Sequence, residues 1–393
     1  MRKFAVLSVS TFWAVLMSIS SAQDAAAQTL VPCSERPTAL SEPWIPSGMA
    51  CLERVLEDSS AGELGYSALA AVPSVDSRDG ALLYATRPWA GQVIALSDGD
   101  GDGLPETPTV LLEGLTLPNG LTYHEGALYI SGGAHLYRWR AGVLTTLVDD
   151  LPTGEFWTGG VAILGDRLYV GIGARCDRCE RSDEAEYGTV LSFTLGGEDR
   201  RVVARGLRFP AALMAFEGAL YVGDSAADAA FAMPQQDEIN RFVPTLNGDI
   251  PDFGFPACPG GVVRGGNPCT GEVSPFALLP TESIPTAMAL YHSEALPALT
   301  GRLLVVLNGS RQQVELRGYR LVALDLVETV WAGTMNGVMP AQTLNDADSE
   351  FTPDEMSYRG SGFYPHRPLS VAVTDQGWVY LSIGGGRILA LRP

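Results

Sequence analysis

The stretch SDGDGDGLPE sets Asp98, Asp100 and Asp102 at alternate positions and follows them with Gly103. Carboxylates two residues apart in a tight turn can converge on a hard cation, so these three aspartates are candidate ligands for calcium. The last position of an EF-hand count falls on Thr109, which is no bidentate acid, and no helical pattern flanks the loop. An ordinary acidic turn is the alternative, and either way the role is stability, not catalysis. Six cysteines form the next set; their local spacing pairs Cys33 with Cys51, Cys176 with Cys179 and Cys258 with Cys269, although spacing alone fixes no connectivity. The CxxC at Cys176 lacks both a surrounding βαβ pattern and a second CxxC for zinc, so it reads as a structural clip. Lys3 is the only lysine. Schiff-base and lysine-base mechanisms are thereby excluded, and every later cation is an arginine. GxSxG, Walker and HExxH patterns are absent.

Arg2 and Lys3 precede an apolar run from Phe4 to about Ile19, and Ala25-Ala26-Ala27 offers a small-residue cleavage site. This is the pattern of a signal peptide over residues 1–27, and it predicts a periplasmic or secreted protein whose remainder, 28–393, is one domain. No later stretch approaches the roughly 20 apolar residues of a membrane span. Loss of Arg2, Lys3 and Asp24 moves the formal charge from −19 to −20. So acidic a chain is a poor partner for nucleic acid or anionic lipid. An even number of cysteines suits an oxidising compartment. Asn308-Gly309-Ser310 matches the N-glycosylation pattern, and the acidic segment 345–362 reads as a solvated insertion.

A repeat must position whatever chemistry there is. PNGLTYHEGALYISGG from Pro118, TGGVAILGDRLYVGIG from Thr158 and PAALMAFEGALYVGDS from Pro210 are its clearest copies, with weaker ones from Pro73, Pro285 and Pro368. Each alternates apolar residues through a short strand, turns at a Gly-containing or polar corner, and returns through a pair such as Leu168-Tyr169. Six such strand pairs predict an all-β, six-bladed β-propeller. Aligned copies place Leu117, Trp157, Phe209, Ile284 and Arg367 around the mouth of the central channel. Thr116, Phe156, Arg208, Ser283 and His366 come one residue earlier, and this ring is the expected ligand site. Of the four histidines, His124 falls at a strand corner and His135 and His292 within blades, which leaves His366.

In order along the chain, GLTLPNGLTYHEGALYIS, WTGGVAILGDRLYVGIGARCDRC, YGTVLSFTLGGEDRRVVARGLRFP, DEINRF, PDFGFPAC, RGYRLVAL and HRPLSVAV resemble the glucose/sorbosone dehydrogenase family, the soluble aldose dehydrogenases that use pyrroloquinoline quinone (PQQ). The resemblance implies a quinone over the channel mouth, a calcium ion beside it, a carbohydrate substrate, and a histidine that takes the sugar hydroxyl proton. Arg208, Arg320 and Arg367 then hold the cofactor and Trp157 stacks against a ring. Several positions depart from the family pattern. Its HTG reads Trp157-Thr158-Gly159, and indole has no basic nitrogen. Its GLRNP keeps Arg208 but carries Phe209 for asparagine, and its GYK lysine is Arg320. His366 and Glu155 are the residues placed to replace the base.

Three functions follow from this reading. The first is an exported PQQ-dependent sugar dehydrogenase with Arg208 and His366 at the reacting centre. The second is a non-catalytic propeller of the same family whose mouth binds a carbohydrate, a small anion or a protein, as aromatic replacements at Trp157 and Phe209 suit. The third is a calcium-dependent lactonase on a similar propeller, drawn from LPNGL at Leu117 with Asn119 and Asp224 as metal ligands.

Overall fold

Leu168 and Tyr169 point to opposite faces of one strand, Arg167–Ile172, and both are buried, at 0% and 4% exposure. Leu168 packs with Ala127 and Tyr129, whereas Tyr169 packs with Leu220 and Val222, so one strand serves two cores on either side. Sheets buried on both faces are what the unbroken apolar runs require. A computed structural model describes residues 31–40, 50–77, 80–106, 108–177, 179, 186–227, 236–258, 271–310, 317–326, 336–339 and 366–393. The predicted signal peptide 1–27, Cys269 and the segment 345–362 lie outside these residues.

The strands form six four-stranded antiparallel sheets. Their innermost strands are Leu69–Ala71, Pro118–His124, Val161–Leu164, Pro210–Phe216, Pro285–Leu290 and Pro368–Val373. Each packs against the innermost strands of its two neighbours, which closes the ring. The repeat read from Pro73 proves out of phase: the innermost strand of the first blade precedes it, and Pro73 opens only the corner. Between the third and fourth blades the approach is close. A Cβ on Gly159 or Gly171 would lie 2.1 Å from the Pro210 carbonyl oxygen, so glycine is obligatory at both places.

The last blade is completed by the first strand of the chain. Cys51–Glu57 pairs antiparallel with Arg387–Arg392, with Cys51 opposite Arg392. Glu53, fully buried there, accepts from Arg392 Nε at 2.7 Å, Arg36 Nη1 at 3.0 Å and Thr38 Oγ1 at 2.9 Å. Two chain ends are thus tied through one carboxylate, and the Cys33–Cys51 disulfide holds the same strand. Cys176–Cys179 is also formed. Cys258 is disulfide-bonded as well, to a residue beyond those described. No helix among the described residues is long and apolar enough to cross a membrane.

Candidate active site at the channel mouth

Antiparallel order sorts the loops. Connections between second and third strands emerge on the same face as those that lead from one blade into the next, while the other two kinds of corner emerge on the opposite face. The first face carries a cavity of about 1010 Å³ that continues into the channel. Trp157, Phe209, Ile284 and Arg367 of the predicted ring line it, as do Phe156, Arg208 and His366 one position earlier. Leu117 does not reach the cavity wall. Leu117 and Ile284 adopt left-handed backbone, with φ of 42° and 54°, a conformation that non-glycine residues hold only under constraint. For Ile284 the constraint is Asp237, whose Oδ2 accepts its N–H at 2.6 Å and the Ser283 hydroxyl at 3.2 Å.

Asp224, in the same blade as Asp237, has the same role for the loop that leads into that blade. It ends the strand Ala219–Asp224 and accepts the N–H groups of Arg208 at 2.9 Å and Phe209 at 2.6 Å. Burial pushes both Asp224 and Asp237 up to about 7, against the pull of these backbone donors. The Arg208 side chain, 4% exposed, donates from Nε to Asp177 Oδ1 at 2.8 Å and from Nη1 to the Ser225 hydroxyl at 3.0 Å. Its guanidinium also lies 4.5 Å over the Phe156 ring, which stacks on Phe209 at 5.3 Å. Asp177 belongs to the loop that the Cys176–Cys179 disulfide closes, and its N–H donates to Glu155 at 2.9 Å. The clip therefore presents an acid to the mouth.

Across the cavity, Arg367 donates from its two terminal nitrogens to the carbonyls of Gly309 and Ser310 and lies 4.8 Å over the Tyr319 ring. His366 beside it lines the cavity, and no described residue hydrogen-bonds its ring. Burial first, and then the Arg387 cation, hold its imidazole below the usual 6.5, against a smaller opposing pull from Glu57. Asn308 is 2% exposed and donates to the Pro368 carbonyl at 2.8 Å. The glycosylation pattern there is closed to a glycan once the chain is folded.

Two predicted placements are corrected. Arg320 is 1% exposed within the strand Arg320–Asp325, third in its blade, and does not line the cavity. Strand alternation buries it between blades, and Arg208 and Arg367 remain as the cavity's arginines. In the acidic turn, the carboxylates that converge within 4.8 Å are Asp98, Asp100 and Glu106. Asp102 is not among them, because its carboxylate turns back to the Leu104 N–H at 2.7 Å. Asp98 accepts the N–H groups of Gly101 and Gly103, each at 2.8 Å. This turn joins a third to a fourth strand, on the face opposite the cavity, so an ion held there would lie far from the mouth. The run Asp237-Glu238-Ile239-Asn240 is a blade strand whose first residue braces the mouth without entering its wall. Asn119 lines the cavity, donating to the Thr158 carbonyl at 3.1 Å, but Asp224 is turned to the backbone. The pair needed for a lactonase metal is not assembled.

Trp89, Glu63 and Asp177 also line the cavity and were not singled out from sequence. Trp89 and Asp177 lie on second-to-third-strand connections, in the first and third blades. That shared position was the available signal.

The described residues thus form a six-bladed β-propeller with an aromatic and arginine-bearing cavity at one end of its channel. No family model matches the sequence, and no curated protein matches it. Solved structures do. The holo PQQ domain of pyranose dehydrogenase from Coprinopsis cinerea superposes with a TM-score of 0.70 at 15% identity, over 91% of this chain and 99% of that one. A calcium structure of carbohydrate-active enzyme family AA12 from Trichoderma reesei gives 0.66 at 15%, over 90% and 97%. The soluble aldose sugar dehydrogenase of Escherichia coli gives 0.57 at 15%, over 87% and 99%. The chain shares the fold of these enzymes.

Proposed function

We propose that this chain is an exported, quinone-dependent sugar dehydrogenase whose base is His366. One observation carries the reading: His366 shares a single cavity with Arg208, Arg367 and an aromatic wall, in a propeller that resembles PQQ-bearing enzymes. The cavity fits the cofactor. Its volume of about 1010 Å³ matches the upper end of small-molecule sites, roughly 300–1,000 Å³. Trp157 and Phe209 put aromatic rings in its wall, and the two guanidinium groups have the sign for carboxylates.

When bound, PQQ supplies the acceptor for the hydride that leaves the sugar carbon. The rest falls to the chain. A histidine held below its ordinary pKa is neutral at pH 7, with a ring nitrogen available for the hydroxyl proton. Arg208 is oriented by Asp177 and Ser225 before any ligand arrives, which limits the order lost on binding. Glu155 lines the same cavity but spends an oxygen on the Asp177 N–H, so His366 is the better base.

The test is optical titration of metal-replete apoprotein with PQQ, then addition of aldoses with an artificial electron acceptor. Saturable binding and sugar-driven reduction are expected. Absence of quinone binding removes the reading. The second function, recognition without chemistry, has its own support in Asp177, which already neutralises Arg208; sugar binding without quinone binding is its signature.

A further inference from the structure

We propose that Trp89 and Trp157 form a saccharide subsite on the cavity rim, which takes a unit of a neutral oligosaccharide outward of the unit that reacts. The inference rests on the sugar reading above and names its substrate class. Trp89 is 63% exposed, and among the described residues it is the only exposed large aromatic. It is not exposed through looseness. Its turn, Pro88–Ala90, is closed by a hydrogen bond from Gly91 N–H to the Pro88 carbonyl at 3.1 Å, and the Gly91 carbonyl accepts from Leu115 N–H at 2.9 Å. The turn holds this indole out in water at the edge of the cavity, with Trp157 beside it, where its open surface is available to a ligand.

The two indoles lie 5.8 Å apart at 85°, one forming a floor and the other a wall. A pyranose has C–H groups on its faces and hydroxyls around its edge. It therefore suits an aromatic floor bordered by acceptors. Glu63 and Glu155, both exposed, line the same cavity and supply those acceptors. Glu63 and Glu155 put negative charge on this part of the wall, and Asp177 already offsets Arg208, which disfavours a uronic acid on the two indoles. Trp89 is exposed and Trp157 partly buried, so the pair steps from solvent into the cavity that His366 also lines. Linked sugars would follow that step, the outer unit on Trp89.

The experiment titrates the full mature protein, free of quinone, with maltotriose, cellotriose and trigalacturonic acid, read by tryptophan fluorescence and calorimetry. A neutral trisaccharide is expected to bind, the acidic one not to. Trp89→Ala should weaken binding at least tenfold and Trp89→Phe should restore most of it. In the PQQ-loaded protein, Trp89→Ala should raise KM for the bound trisaccharide at least tenfold more than KM for glucose. Failure of every neutral trisaccharide to bind, or binding unaffected by Trp89→Ala, overturns the subsite. Quinone reduction by glucose with no effect of Trp89→Ala on trisaccharides overturns it while the dehydrogenase reading stands. Trisaccharide binding that depends on Trp89, with no quinone bound at any concentration, leaves the subsite and removes the dehydrogenase.

Discussion

Asp177 Oδ1 accepts from both Nε and Nη2 of Arg208, at 2.8 and 2.5 Å, from within the loop closed by Cys176–Cys179. The cavity's more buried arginine is therefore fixed in place and partly neutralised by the same acid. Asp177→Asn keeps the side chain's shape and removes the competing charge. It should tighten PQQ binding roughly three- to tenfold and cost about 1 kcal/mol of stability, the scale of one charge-assisted hydrogen bond at a partly exposed site. Quinone titration and urea midpoints check the two halves separately. An unchanged quinone affinity would mean that Arg208 does not meet the cofactor.

His366→Ala should lower kcat by about 10² to 10⁴, the usual worth of a positioned base, with little change in quinone affinity. The pH profile is the sharper check. The folded imidazole sits below 6.5, so kcat/KM should rise with pH through a limb under 6.5 and level off above it. Arg387→Gln removes a cation that disfavours the protonated ring. The limb should then move up toward 6.5 with the plateau rate retained. A limb that ignores Arg387 would point to another group.

Glu53 is the joint between the chain's two ends. Its carboxylate faces Arg392 and Arg36, whose side chains are 5% and 8% exposed. Glu53→Gln leaves two nearly buried guanidinium groups without their anion, which costs about 3–5 kcal/mol at comparable sites. The thermal midpoint should fall by several degrees, and quinone affinity measured well below that midpoint should not move.

The blades were legible because their chemistry is local. Leu128-Tyr129, Leu168-Tyr169 and Leu220-Tyr221 announce strands buried on both faces, and aligning them was enough to bring Trp157, Phe209, His366 and Arg367 to one cavity. The innermost strand Leu69–Ala71 was not legible: it is short, two of its three residues are alanine, and it lacks the proline that opens most of the other five. Trp89 and Asp177 escaped because they lie on second-to-third-strand connections of unequal length, where their shared place in the blade, and not residue-by-residue alignment, carries the signal. Arg320 was misplaced for a related reason, since motif similarity marks a position along the chain and not the side of the strand that faces the channel. The pairing of Glu53 with Arg392 spans 339 residues and had no local trace.

The two acids that brace the mouth give stability an unusual pH dependence. Asp224 and Asp237 are raised from 3.8 to about 7 in the fold, so the folded state holds protons that the unfolded chain releases. Their contribution is complete below 3.8 and is lost as pH rises through about 7, at up to about 1.4 kcal/mol per pH unit for each group. Asp58 and Asp199 are held below 3.8 and act in the opposite sense, but only in the more acidic window. His366 opposes the two raised acids near pH 6 by at most one proton. Urea midpoints measured from pH 4.5 to 7.5 should therefore fall as pH rises. Asp224→Asn cannot titrate, yet its remaining oxygen can still accept from Phe209. That variant should show a shallower slope, and its deficit against the wild type should shrink as pH approaches 7.5. A wild-type midpoint that is flat or rises over this range would mean that both carboxylates are already ionised, held so by the backbone donors of Arg208, Phe209, Ile284 and Ala226.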